Sequence, residues 1–200
     1  MCEPVCEWRG RVAQLLTSAA VAFSVLATPG PAWPAARIEG VSFDDRVTAS
    51  GVEFKLNSVG LLRIGIFIKA YVAGLYLGPG AKPDDILADT PKRLEISYFW
   101  SISAERFVTS TREAIERNSD PATLAKIGPH VDRFLALYRS VEPGDRYSLT
   151  YVPGVGTELA LNGKALGNVE GADFGAAVFG VWFGDSEIDT ALKKSLLANR

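Results

Sequence analysis

Cysteine is nearly missing from this chain. The two present, Cys2 and Cys6, fall within the first six residues, and the sole histidine is His130. Too few thiolate and imidazole ligands remain for a Cys/His zinc site, a haem or an iron–sulfur cluster, so neither metal nor other cofactor is expected. A basic excess is missing too, since 21 Lys and Arg stand against 23 Asp and Glu. With no surplus of cations to neutralise a phosphate backbone, nucleic acid is not an expected partner. No sequence matches G-x-S-x-G, a P-loop or G-x-G-x-x-G, which removes the commonest hydrolase and nucleotide-binding signatures. What is present is globular: 48% hydrophobic and 22% charged residues in a chain of 200, enough for one domain of ordinary size and incompatible with a disordered or collagen-like protein.

The first 36 residues read as an export address. Arg9 and Arg11 precede the uncharged run Val12–Ala27, and a Pro/Gly-rich segment of small residues follows from Pro29 to Ala36. This is the basic, apolar and small-residue order of a secretory signal peptide. The apolar run is diluted by Gln14, Thr17, Ser18 and Ser24 and is shorter than the ~20 residues that span a bilayer, so no stable membrane span is expected once it is removed. The expected product is a periplasmic or secreted domain, residues 37–200. It contains no cysteine, so it must be held by its packed core without disulfides.

Within that domain, Arg46–Ala49 and Glu53–Val59 alternate polar and apolar residues across Ser50-Gly51, the pattern of a hairpin. Leu61–Leu77 follows with little polar relief, interrupted by Gly65 and Gly74, and reads as one long bent strand or a strand pair. Pro83–Asp89 is expected to form one helical turn and Arg93–Trp100 another strand. Ser103 is the expected N-cap of a helix ending near Asn118, and Asp120-Pro121 starts a second, with Gly128-Pro129 as the expected kink. Tyr147–Val152, Thr157–Leu161 and Ala165–Val169 are three short strands, the last two joined by the hairpin signal Asn162-Gly163. Asp173–Phe183 and Asp189–Leu197 close the chain as helices around Gly184. The pattern predicts an α+β domain, a largely antiparallel sheet with helices covering one face.

Few residues invite chemistry. His130 reads as a half-exposed helix residue, and Gly184-Asp185-Ser186 sits between helices with the only histidine upstream, which does not make a hydrolase triad. Glu170 and Asp173 read as carboxylates at a helix start. Arg63 stands out: a guanidinium in an apolar strand needs an anionic partner, either an internal carboxylate or that of a ligand. Lys69 reads as a strand-end residue whose stem snorkels. Tyr71, Tyr76, Tyr98, Phe99, Trp100 and Phe107 are suited either to a dry core or to the wall of an apolar cavity.

Several blocks, in order, carry a resemblance: Ile38–Phe43, Gly60–Arg63, Phe67–Leu77, Pro91–Leu94 and Asn168–Phe174. Together they resemble the bacterial chalcone isomerase-like family over residues 37–200, the stretch Lys69–Leu77 with its upstream arginine being the most specific part. The resemblance implies an open-faced β-sandwich, a large antiparallel sheet under a layer of helices with a cleft between them. It also implies a choice of activities, because plant relatives include both chalcone isomerases and non-catalytic fatty-acid binders. By the resemblance, Arg63 takes the arginine role shared by both, and Tyr71 stands where the enzymes have a threonine, as in the fatty-acid-binding branch. Arg106-Phe107 and Ile96-Ser97-Tyr98 replace an expected tyrosine and lysine of the enzymes.

The leading expectation is therefore an exported, non-catalytic binder of a fatty-acid-like or other amphipathic carboxylate. Arg63 pairs its head group, Tyr71 donates a hydrogen bond, and Tyr98, Phe99 and Phe107 supply apolar wall. The alternatives are an intramolecular lyase of the chalcone isomerase type and a structural envelope protein with a dry core. On a straight strand Arg63 and Tyr71 lie about 26 Å apart at ~3.3 Å per residue, so the binding site requires the chain to turn near Gly65.

Overall fold

A computed structural model describes residues 36–65 and 67–198, and the expected export segment up to Ala35 lies outside them. Among the described residues nine strands and four α-helices follow in the order β1 (Ala36–Ile38), β2 (Val41–Phe43), β3 (Arg46–Ala49), β4 (Val52–Ile64), β5 (Ile68–Leu77), β6 (Lys92–Tyr98), α1 (Ala104–Arg117), α2 (Pro121–Leu135), β7 (Arg146–Val152), β8 (Gly156–Leu161), β9 (Lys164–Val169), α3 (Ala172–Phe183) and α4 (Thr190–Leu197). Strands β3 to β9 form one antiparallel sheet in sequence order, while β1 and β2 pair only with each other. The expected α+β architecture is what the structure shows, with the helices on one face of the sheet and the β1–β2 hairpin on the other.

Local chemistry explains most of the boundaries. Ser50 and Asn162 adopt positive φ before Gly51 and Gly163, giving the two-residue turns expected there. Glu39-Gly40 has the same backbone form and closes the β1–β2 hairpin, which the sequence reading did not separate as strands. Strand β1 begins at Ala36, the residue at which the expected export segment ends. Ser103 Oγ accepts from the Arg106 N–H to cap α1, and Asp120 accepts from the Ala122 and Thr123 N–H groups to cap α2. Helix α2 runs through Pro129 as one helix. The first turn of α3 has no side-chain cap, and its Asp173 pairs with Lys126 instead.

The strand-or-pair ambiguity of Leu61–Leu77 resolves as a pair. Gly65, at φ +63°, turns β4 back into β5. An extra residue in β4, Asn57, and one in β5, Ala70, then interrupt the ladder between them. Phe54 and Leu56 point to the hairpin layer with Val72 and Tyr76, whereas Leu62 points to the helix layer with Tyr71. Strict alternation keeps 54, 56 and 62 on one face, so the bulge at Asn57 is what moves the inward set from one layer to the other. The Asn57 side chain anchors that bulge by donating to the Leu196 and Ala198 carbonyls at the end of α4.

The two layers are filled differently. On the hairpin side Phe43 packs against Gly74 so closely that a Cβ there meets its ring at 2.6 Å. Glu95 on this face is clamped by Arg93 at 2.9 Å and Arg146 at 3.0 Å, and Arg146 lies over the Phe43 ring. On the helix side, Leu75, Leu94, Ile115, Phe134, Val178 and Phe179 close the centre. Lys92 is buried there as well, donating to the Ala88 carbonyl at 2.5 Å and lying over the rings of Tyr151 and Phe179.

Candidate functional site

Between the sheet and the helices lies a cavity of about 550 Å³, in the size range of small-ligand sites. Its floor comes from β4 to β8 and its roof from α1 and α3, with Ile188 and Asp189 of the α3–α4 connection at the rim. The floor is aromatic because Tyr71, Tyr98 and Tyr147 occupy inward positions on adjacent strands, β5, β6 and β7. Tyr98 meets Tyr71, Phe107 and Tyr147 edge-on, at centroid distances of 5.7, 5.4 and 6.1 Å. Phe107 of α1 stacks on Tyr138 at 5.2 Å and meets Tyr147 of β7 edge-on at 5.4 Å, which joins roof to floor.

The polar atoms within this wall are few and directed. Trp182 of α3 donates its indole N–H to the Tyr71 hydroxyl at 3.0 Å. An indole nitrogen can only donate, so this contact uses a lone pair of Tyr71 and leaves the phenol proton free for another acceptor. Thr111 and Tyr138 share a buried hydrogen bond of 3.1 Å, and Tyr147 is tied to the Arg139 main chain. Burial pushes the Tyr71, Tyr98 and Tyr138 phenols well above their ordinary range. These residues are therefore neutral donors at any working pH, and none supplies a phenolate.

Arg63 and Tyr71 come together by the turn at Gly65. Tyr71 pairs with Leu62, and Arg63 pairs with Lys69, which leaves Arg63 on a cross-strand diagonal to Tyr71, within roughly 8 Å instead of 26 Å. The ladder irregularity here is Ala70, an extra residue of β5: Leu62 and Tyr71 face the helix layer, while Arg63 lines the cavity at its rim and, with Lys69, reaches Glu39 of the hairpin. Arg63 sits near the strand end, with 46% of its side chain exposed, rather than buried mid-strand. Its acidic neighbour is Glu39 of the β1–β2 turn at 3.6 Å, a separation too long for a hydrogen bond. Glu39 instead accepts from Lys69 at 2.5 Å.

Four of the five expected site residues, Arg63, Tyr71, Tyr98 and Phe107, line this cavity. Phe99 does not. It follows Tyr98 in the strand direction, so alternation turns it to the opposite side, where it packs against the hairpin layer. That parity was readable, because two consecutive strand residues cannot both face one cavity. Arg106, Thr111, Tyr138 and Trp182 were not assigned to the site from sequence. Arg106, the residue at the expected enzyme tyrosine, places a second guanidinium at the mouth, and only the need of a half-buried indole for an acceptor hinted at Trp182. His130 stacks on Phe174 between α2 and α3, away from this cavity.

Comparison with known proteins agrees with this architecture. No curated protein matches the chain. Among solved structures, a fatty-acid binding protein of Arabidopsis thaliana superposes with a TM-score of 0.60 at 16% identity, covering 79% of this chain and 92% of that one. A likeness at that identity speaks for the fold. The family model described as chalcone isomerase-like matches residues 35–198, from β1 to the end of α4, and this chain belongs to the chalcone isomerase-like family.

Proposed function

We propose that this protein binds a fatty-acid-like or other amphipathic carboxylate, tail inward between sheet and helices and head group at the mouth. The observation that carries the reading is the distribution of charge: an apolar, aromatic cavity whose cations, Arg63 and Arg106, both stand at its entrance. An alkyl chain loses nothing by entering such a wall, while a carboxylate stays where guanidinium groups and water meet it. Arg63 has fork geometry to offer because its contact with Glu39 is a 3.6 Å ion pair and not a hydrogen bond, while Lys69 holds the other oxygen of that carboxylate. Tyr71, its acceptor side engaged by Trp182, donates to the same head group. The shared fold with the Arabidopsis fatty-acid binding protein supports this reading, and the Arg9/Arg11 and Val12–Ala27 pattern supports placing the protein outside the cytoplasm.

Titration of the full chain with palmitate and with its methyl ester tests the role of Arg63. Arg63→Ala weakens palmitate by about tenfold or more, the scale of a lost hydrogen bond to a charged group, and leaves the ester unaffected. Equal palmitate affinity in both proteins refutes the role. A second reading, ring closure of a hydroxychalcone, is favoured by the Thr111–Tyr138 pair, which offers hydroxyl donors to a developing enolate. Conversion of a hydroxychalcone to its flavanone, lost on replacing Arg63, establishes that reading instead.

A further inference from the structure

Around the cavity mouth the surface is apolar where most of the protein's surface is not. Ile64 is 61% exposed, Phe67 87% and Ile68 48%, all at the β4–β5 turn, with Trp100 at 59% and Ile188 at 44%. These residues belong to one neighbourhood. Ile64 pairs with Ile68 across the turn, Trp100 donates its indole N–H to the Lys69 carbonyl at 2.8 Å, and Ile64 and Ile188 both line the opening. A cluster of large exposed side chains on a projecting turn marks an interaction surface.

We infer that this collar is a docking surface for an anionic lipid bilayer, seated so that the cavity opens toward the membrane. Charge identifies the occupant. Arg63 and Lys69 flank the turn and Arg106 stands across the opening, three cations against two rim carboxylates, Glu39, which Arg63 and Lys69 share, and Asp189, which caps α4 through the Leu192 N–H at 2.7 Å. Phe67, Ile64 and Ile68 enter the acyl boundary, Trp100 occupies the interface with its N–H already bonded, and the cations reach lipid phosphates. A second copy apposed through the same face sets the same cations against one another. The inference goes beyond the cavity's contents, because docking requires no ligand inside.

The test is flotation of the full chain with phosphatidylcholine vesicles, with and without phosphatidylglycerol, alongside quenching by brominated acyl chains. The fluorescence difference between the wild type and Trp100→Phe isolates Trp100 from the other tryptophans, and it is quenched if the collar enters the bilayer. Phe67→Ser, at a side chain too exposed to affect folding, lowers partitioning by about tenfold. Lys69→Gln lowers it by about fivefold on anionic vesicles only. An unquenched Trp100 overturns the assignment, as does unchanged partitioning of Phe67→Ser. Self-association that Phe67→Ser abolishes, without vesicle attachment, overturns it in favour of a second copy. Palmitate titration of Phe67→Ser keeps this outcome separate from the binding reading, since the variant retains the cavity.

Discussion

One sheet serves two layers here, and they solve the same packing problem in opposite ways. The hairpin layer is small and dense: Phe43, Phe54 and Tyr76 are fully buried, Gly74 admits Phe43 by lacking a side chain, and Glu95 is paired on both sides by arginine. The helix layer is larger, is filled at its centre and leaves a space of about 550 Å³ at one end. Its buried cation, Lys92, is held by carbonyls and aromatic rings rather than by a carboxylate. Side-chain volume and the completeness of charge pairing distinguish the layer that holds the domain together from the layer that keeps room for something else.

The comparison breaks most easily at Phe43. Replacing it with Ala empties the centre of the hairpin layer and costs about 3–5 kcal/mol by urea unfolding, with palmitate affinity unchanged because the cavity is on the other side of the sheet. Next in size is the uncompensated Lys92. Burial lowers its ammonium from 10.5 to about 8, so between those values the unfolded chain holds a proton that the folded one has released. Stability therefore rises with pH from about 8 toward 10, by up to about 3 kcal/mol. Above pH 10 it falls, because the unfolded tyrosines ionise while buried Tyr71, Tyr98 and Tyr138 do not. Lys92→Met abolishes the rise and keeps the fall, which denaturation midpoints across that pH range will show.

The smallest effect sharpens the contrast most. Val72 and Ile96 both lie on central strands, the first facing the hairpin and the second lining the cavity. Val72→Phe overpacks a full layer and costs about 1–3 kcal/mol. Ile96→Phe grows into open space, shifts stability by less than that and reduces the room for ligand. Equal destabilisation by both contradicts the distinction between a full and an open layer.

Turn and cap chemistry carried much of the fold into the sequence. Ser50-Gly51, Asn162-Gly163, Ser103 and Asp120 each act locally, through φ or a single N–H, and each stands where its residue type implied. The β1–β2 hairpin was less legible because its strands are three residues long and Glu39 is an unusual residue at positive φ. The site was legible where strand parity and the Gly65 turn govern it, as for Arg63, Tyr71 and Tyr98. Arg106 and Trp182 were hidden because they arrive from helices whose placement over the sheet is a long-range outcome with no local signal.

The extra residue at Asn57 shows that inside and outside along β4 are a matter of phase. Burial alternates without interruption from Phe54 to Leu62, although the letters do not, and the first half is addressed to one layer and the second half to the other. Deleting that single asparagine makes Ser58 follow Leu56 in an unbroken ladder, so Ser58, Gly60 and Leu62 keep to the helix side and what is lost is the anchor to the carbonyls of α4. What the position adds is one residue and its two hydrogen bonds to the end of α4, so the faces of this strand are set by its ladder with β5 rather than by its letters.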